Sequence, residues 1–191
     1  MACAIMAATM RPNPTILVFA AMLAFAACAH ADEVPIAAQP LVYERDGAVQ
    51  GCGARLTGGE AVQAGSSAWF DVSFNVFRDG VALAQSYAYE LRPSYYDGEA
   101  RPARVPVQSA WLKAPQRSTR LGENRQRSDT LVYRLVLDDA VALFEALAAG
   151  DTVTIGIKRW DRRTASIYAG KPELSDQGRQ QIADCLARLT Q

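Results

Sequence analysis

Arginine forks onto oxyanions, and tyrosine or tryptophan offers a flat apolar face with a polar edge, so clusters of the two carry the clearest chemistry in this sequence. Two stretches qualify. From Arg92 to Ser128 the chain brings Tyr95 and Tyr96 close to Arg101 and Arg104, and then adds Arg117, Arg120, Arg125 and Arg127. This segment holds eight Lys/Arg against three Asp/Glu, net +5, within a chain whose formal net charge is zero. The second stretch is KRWDRR, residues 158–163, which sets Trp160 among four basic side chains. Tyr95, Tyr96, Arg101, Arg104, Arg159, Trp160 and Arg162 are therefore the candidate binding residues, for phosphate, carboxylate, sugar, a lipid headgroup or single-stranded nucleic acid. The bland alternative is two solvated loops and a charged turn, with Trp160 packed on a sheet.

Catalytic chemistry is narrowed by one absence. His30 is the only histidine, and it lies in an A-x-A stretch at the end of the leader, so a domain without that leader has none. Ser-His-Asp and Cys-His mechanisms, histidine-ligated zinc or copper and a histidine base go together. Walker, G-x-G-x-x-G, G-x-S-x-G and H-E-x-x-H motifs are missing as well. Two carboxylates could still hydrolyse a glycan if they faced one another. Adjacent Asp138 and Asp139 point in different directions and read as a helix N-cap. No catalytic residue, metal or cofactor is expected.

Four cysteines are present, two of them, Cys3 and Cys28, in the leader. The remaining two, Cys52 and Cys185, suggest one disulfide in an oxidising compartment, clipping the last helix to an early strand. A C-x-x-C redox spacing is absent.

These residues need elements to hold them. LVYERDGAVQGCGARLTGG reads as two strands around Asp46-Gly47, and Phe70, Val72, Phe74 and Val76 alternate with polar residues before RDG, 78–80, turns the chain into VALAQSYAYEL. Trp69 and Trp111 are expected in the core. The basic segment reads as two long loops flanking one strand, Val105–Lys113. TLVYRLVL is a further strand. A helix of about ten residues follows, stopped by Gly150, and then a third hairpin turns at Asp161–Arg163. Ser175 caps a last helix in which Ile182, Cys185, Leu186 and Leu189 share a face. The fold class is α+β: mainly antiparallel hairpins in a sandwich-like sheet, with two helices, one of them C-terminal.

Ahead of this lies an apolar run, Thr15–Ala27, with Arg11 before it and no acid before Asp32. Thirteen residues are too few to span a bilayer and suit a signal peptide; Met10 would give a more usual start than Met1. Cleavage after Ala31 is the favoured reading, and acylation at Cys28, giving an outer-membrane lipoprotein, is the alternative. The expected organisation is a signal peptide over 1–31, a lead-in over 32–40 and one domain over 41–191, without a transmembrane helix in the mature protein.

The closing order of strand, helix, two strands and helix, TLVYRLVL through SDQGRQQIADCLARL, resembles small exported proteobacterial proteins related to invasion-associated locus B. That family usually carries a further cysteine pair before the first of these helices, where this chain has LVLDDAV. The resemblance implies a periplasmic, non-enzymatic, β-rich protein. The leading expectation is a periplasmic or secreted protein that binds a protein or an anionic envelope component through basic aromatic loops. An inhibitor or immunity-type protein blocking a periplasmic hydrolase is the second, a carboxylate-based cell-wall hydrolase the third; bulk charge gives no indication of nucleic acid.

Overall fold

The computed structural model describes residues 32–62, 66–93 and 98–191. The leader with Cys28, and the pair Tyr95 and Tyr96, lie outside the described residues. Strands come in chain order as β1 (Asp32–Glu33), β2 (Ile36–Arg45), β3 (Ala48–Val62), β4 (Ser66–Phe77), β5 (Ala82–Pro93), β6 (Ala100–Val105), β7 (Val107–Lys113), β8 (Gly122–Glu123) and β9 (Leu131–Leu135). Helix α1 (Leu137–Ala149) follows, then β10 (Val153–Arg159), β11 (Ser166–Gly170), β12 (Pro172–Glu173) and helix α2 (Asp176–Leu189). The α+β class holds, with strands dominant.

Two sheets result. The smaller runs β1-β11-β10-β7-β8; the larger runs β12-β2-β3-β4-β5, and β6 and β9 pair with successive stretches of β5. The chain passes between the sheets at Val34-Pro35, at Pro106 and at Lys171. Proline has no N–H to give a ladder, so Pro35 and Pro106 mark places where one sheet's pairing stops and the other's starts. Residues 32–40 are thus built into both sheets, and Ile36 is fully buried.

Turn chemistry fixes the registers. Asp46 at φ 53° and Gly47 at φ 75° form the two-residue turn that right-twisted strands favour, and β2 and β3 pair from Arg45↔Ala48 outward. The second hairpin turns at Asp79-Gly80, where the Asp79 carboxylate accepts the Val81 N–H at 3.0 Å.

On β4 the even residues Phe70, Val72, Phe74 and Val76 face the core. The smaller sheet and both helices cover that face: Phe70 meets Tyr168 of β11 at 4.8 Å between ring centres, and Phe74 meets Phe144 of α1 at 4.9 Å. Helix α2 lays Ile182, Cys185 and Leu189 on β2 and β3, where Cys185 is bonded to Cys52 across a separation of 133 residues. Ser175 caps this helix by accepting the Gly178 N–H at 3.1 Å.

Helix α1 differs from expectation at its start. Its N-cap is Val136, without a side-chain bond, and Asp138 and Asp139 occupy the first turn. There they favour the positive end of the helix dipole, and Arg117 bridges them at 3.4 and 3.6 Å. Gly150 ends the helix at φ 68°, as expected, after 13 residues.

The basic segment is not two loops around one strand. Arg101 and Arg104 stand on β6, paired to β5 from Ala88↔Val105 to Pro93↔Ala100, and β8 adds a short rung to β7. Neither Trp69 nor Trp111 is in the core. Each is half-buried on the outer face of its sheet, because its strand gives the inner face to the alternate residues.

Candidate functional site

The smaller sheet's outer face carries Trp111 and Lys158, and the turn after β10 adds Trp160. The Trp160 N–H donates to the Pro106 carbonyl at 3.1 Å, which fixes the backbone where the two sheets meet. Its half-buried ring forms one wall of a cleft of about 470 Å³, with Gln108, Ser109, Leu121, Arg125 and Lys158 among the other walls. The indole Nε1 is buried and has no acceptor among the described residues.

A single buried side chain holds the rest of this cleft together. Asn124 donates to the Ser128 carbonyl at 2.9 Å and to the Ser128 hydroxyl at 3.1 Å, while its Oδ1 accepts the Gln126 N–H at 3.0 Å. Its own N–H donates to the Gln108 carbonyl at 2.8 Å, tying the 124–130 loop to β7. The loop so formed puts Arg127 at φ 54°, left-handed backbone that an arginine enters at a cost of about 1 kcal/mol. That conformation sets the Arg127 guanidinium 5.1 Å from the Trp160 ring centre. Arg125, Arg127 and Lys158 have no carboxylate partner among the described residues; only Glu123, also lining the cleft, offsets them. The result is a cationic, aromatic recess.

Arg159, the neighbour of Trp160, turns the other way. It is buried, and its Nη2 binds Glu90 of β5 and, at 2.5 Å, Asp161. Arg92 adds a 2.5 Å bond to Glu90. Burial alone would raise the Glu90 carboxyl, but the bonds from Arg159 and Arg92 outweigh it and hold the group below its ordinary value. The bond from Arg159 likewise lowers Asp161, against the pull of burial. Both acids thus behave as ion-paired carboxylates. Arg159 joins the two sheets and is not free for a ligand. Arg162 is exposed on a narrower cleft of about 200 Å³ beside it.

Arg104 lies on a different surface, the outer face of the larger sheet, 4.5 Å over the Tyr87 ring. Arg101 stands on the same strand, 3.9 Å from Glu99. The candidate residues therefore separate into three places: Trp160 in the cationic cleft, Arg159 and Arg162 at the joint between sheets, and Arg104 on the larger sheet. Asn124 and Lys158 join Trp160 in lining the cleft and Arg127 lies over the Trp160 ring, a grouping the sequence hides because 33 residues separate Arg127 from Trp160.

No group of three or more His, Cys, Asp or Glu among the described residues could hold a metal ion. No helix among them is long and apolar enough to cross a membrane. No protein-family model, curated protein or solved structure matches this chain.

Proposed function

We propose that this protein is an exported, non-catalytic binding protein that takes phosphate-bearing anions of the cell envelope at the Trp160 cleft. The observation that carries the reading is Arg127, held in left-handed backbone over Trp160, whose cleft is also lined by Arg125 and Lys158, cations without a carboxylate partner among the described residues. Arginine with a desolvated indole suits a phosphate ester on an apolar or ring-bearing body: the guanidinium takes the oxygens and the ring takes the body. Export is supported by the signal-like leader, with cleavage after Ala31 favoured over acylation at Cys28, and by the Cys52–Cys185 disulfide. The resemblance to proteins related to invasion-associated locus B points the same way.

The test is binding to phosphatidylglycerol vesicles and to vesicles of phosphatidylcholine alone, each over a range of salt. Wild type should bind only the anionic vesicles, with affinity that falls as salt rises. At about 1 kcal/mol per basic side chain near an anionic surface, Arg125→Ala with Arg127→Ala and Lys158→Ala should lose about 100-fold in affinity. The melting temperature should stay put, since none of the three pairs with a carboxylate among the described residues. Equal binding by wild type and triple variant would overturn the reading. Salt-resistant, stoichiometric capture of a hydrolase would favour the inhibitor class in its place.

A further inference from the structure

The larger sheet keeps its second face uncovered by either helix or by the smaller sheet, and that face is not an ordinary solvated one. Outward residues of β4 and β5 include Trp69, Phe77, Tyr87 and Tyr89. Near one end Trp69 and Tyr89 help to line an open hollow of about 520 Å³, within the usual range for a small-ligand site. Trp69 and Tyr89, opposite one another in the β4–β5 register, stand on one side, with Pro102 of β6. Arg55, Asp71 and Thr57 supply its polar groups.

Two features define what could sit there. Gly59, opposite Trp69 on β3, has no side chain because none fits: a Cβ would lie 2.4 Å from the indole Cδ1 and 2.4 Å from the Ala68 carbonyl oxygen. The ring can therefore lean across β3 and line the hollow with its flat surface. Arg55 is closed onto Asp71 as a fork, Nε to Oδ1 at 2.9 Å and Nη2 to Oδ2 at 2.6 Å. The pair is neutral as a unit, and the Arg55 side chain is 46% exposed.

We infer that this hollow binds a neutral oligosaccharide. Among the residues that line the hollow the only cation is Arg55, which Asp71 neutralises, and Glu173 adds a negative group. Arg104 lies outside the lining, over the Tyr87 ring at 4.5 Å and 6.0 Å from the Tyr89 ring. An extended peptide adding a strand would need a free ladder edge, whereas the hollow lies on the face of paired strands. A sugar matches both halves of the surface. Its C–H face stacks on Trp69 and Tyr89, and vicinal hydroxyls span the Arg55–Asp71 fork, one accepting from the guanidinium and one donating to the carboxylate. This site is separate from the Trp160 cleft and does not depend on it.

The experiment is titration of the protein with cellotetraose, maltotetraose and N-acetylchitotetraose, followed by calorimetry and tryptophan fluorescence. At least one should bind, and Trp69→Leu, which keeps apolar bulk on the strand, should weaken it about tenfold, the worth of one aromatic stacking contact. Tyr89→Leu should do the same should the first variant fold poorly. The Arg125, Arg127 and Lys158 triple variant should bind the sugar as wild type does, which separates this inference from the anion reading. Absence of binding by all three sugars at about 10 mM, or unchanged binding by both leucine variants, overturns it.

Discussion

On the smaller sheet Trp160 stands beside Arg127, Arg125 and Lys158, none with a carboxylate partner among the described residues; on the larger sheet Trp69 stands near Arg55, whose fork Asp71 closes. Both surfaces are built from tryptophan and arginine, on outward strand positions of the larger sheet and on the turn and loop that flank the smaller one. What separates them is one aspartate at the right register. An unpaired guanidinium keeps its charge for a ligand, and a paired one keeps only its directional donors. Composition alone would class the two together as basic aromatic surfaces, and geometry divides them into a recess whose cations have no carboxylate partner among the described residues and a hollow whose lining arginine is paired.

The two sheets also differ in how they are secured, and removing that difference has the largest expected effect. The larger sheet is tied to α2 by Cys52–Cys185, and no disulfide reaches the smaller one among the described residues. Replacing both cysteines by alanine reopens a loop of 133 separation, worth about 4 to 5 kcal/mol on the chain-entropy account. Urea unfolding should record that loss, and hydrogen exchange should rise first in β2 and β3, with β7 and β10 following only in global unfolding. An unchanged midpoint, or uniform exchange across both sheets, would break the contrast.

That clip was legible in the sequence, since only two cysteines remained to pair. So were the Asp46-Gly47 hairpin and the Ser175 cap, because each depends on a few adjacent residues with one conformational preference. The misplaced features depend on distant partners. Strand β6 was hidden by Pro102 and by outward arginines, which an edge strand tolerates. Arg159 and Arg127 look alike in sequence; that one is spent on Glu90, 69 residues away, and the other lies over Trp160 follows only from how the two sheets meet and how Asn124 shapes the 124–130 loop. For Trp69 a signal did exist. Glycine recurs at outward positions 51, 53 and 59 of β3, a period-two pattern that clears space for Phe77, Asn75 and Trp69 to lean across. Read as such, it places that tryptophan on the open face.

The joint between the sheets gives the next effect in size. Arg159 reaches from β10 to Glu90 on β5, with side-chain exposures of 9% and 21%. Arg159→Ala leaves Glu90 half-buried without its main partner and should cost about 2 to 3 kcal/mol, below a fully buried pair because water still reaches the carboxylate. The pH dependence has a definite sign. Glu90 and Asp161 both titrate below their ordinary 4.5 and 3.8. Their contribution is fully present above those values and is lost as pH falls through the lower folded ones. Wild type should therefore lose stability steeply below about pH 4.5, and Arg159→Ala should flatten that acid limb. An acid limb of equal steepness in the variant would place the pH sensitivity elsewhere.

The smallest effect separates the two tryptophan faces most directly. Each sheet has a glycine under an outward tryptophan: Gly59 beneath Trp69, and Gly156 beneath Trp111, where a Cβ would lie 2.2 Å from the indole Cε2. The obstacles differ in kind. At Gly59 the added methyl meets the Ala68 carbonyl oxygen as well as the ring, and backbone inside a paired ladder cannot step aside. At Gly156 the three nearest atoms all belong to the Trp111 ring, a half-exposed side chain that can rotate outward. Gly59→Ala should cost about 2 kcal/mol, in the range for overpacking, whereas Gly156→Ala should cost about 1 kcal/mol or less, since alanine also recovers backbone entropy that glycine loses in a strand. Paired urea titrations would measure both. Displacing Trp69 should also weaken sugar binding at the larger sheet while leaving vesicle binding at Trp160 intact, and Gly156→Ala should disturb neither. Equal costs at the two glycines would mean that the larger sheet yields as readily as an exposed indole, and the rigid wall that the sugar site requires would be lost with it.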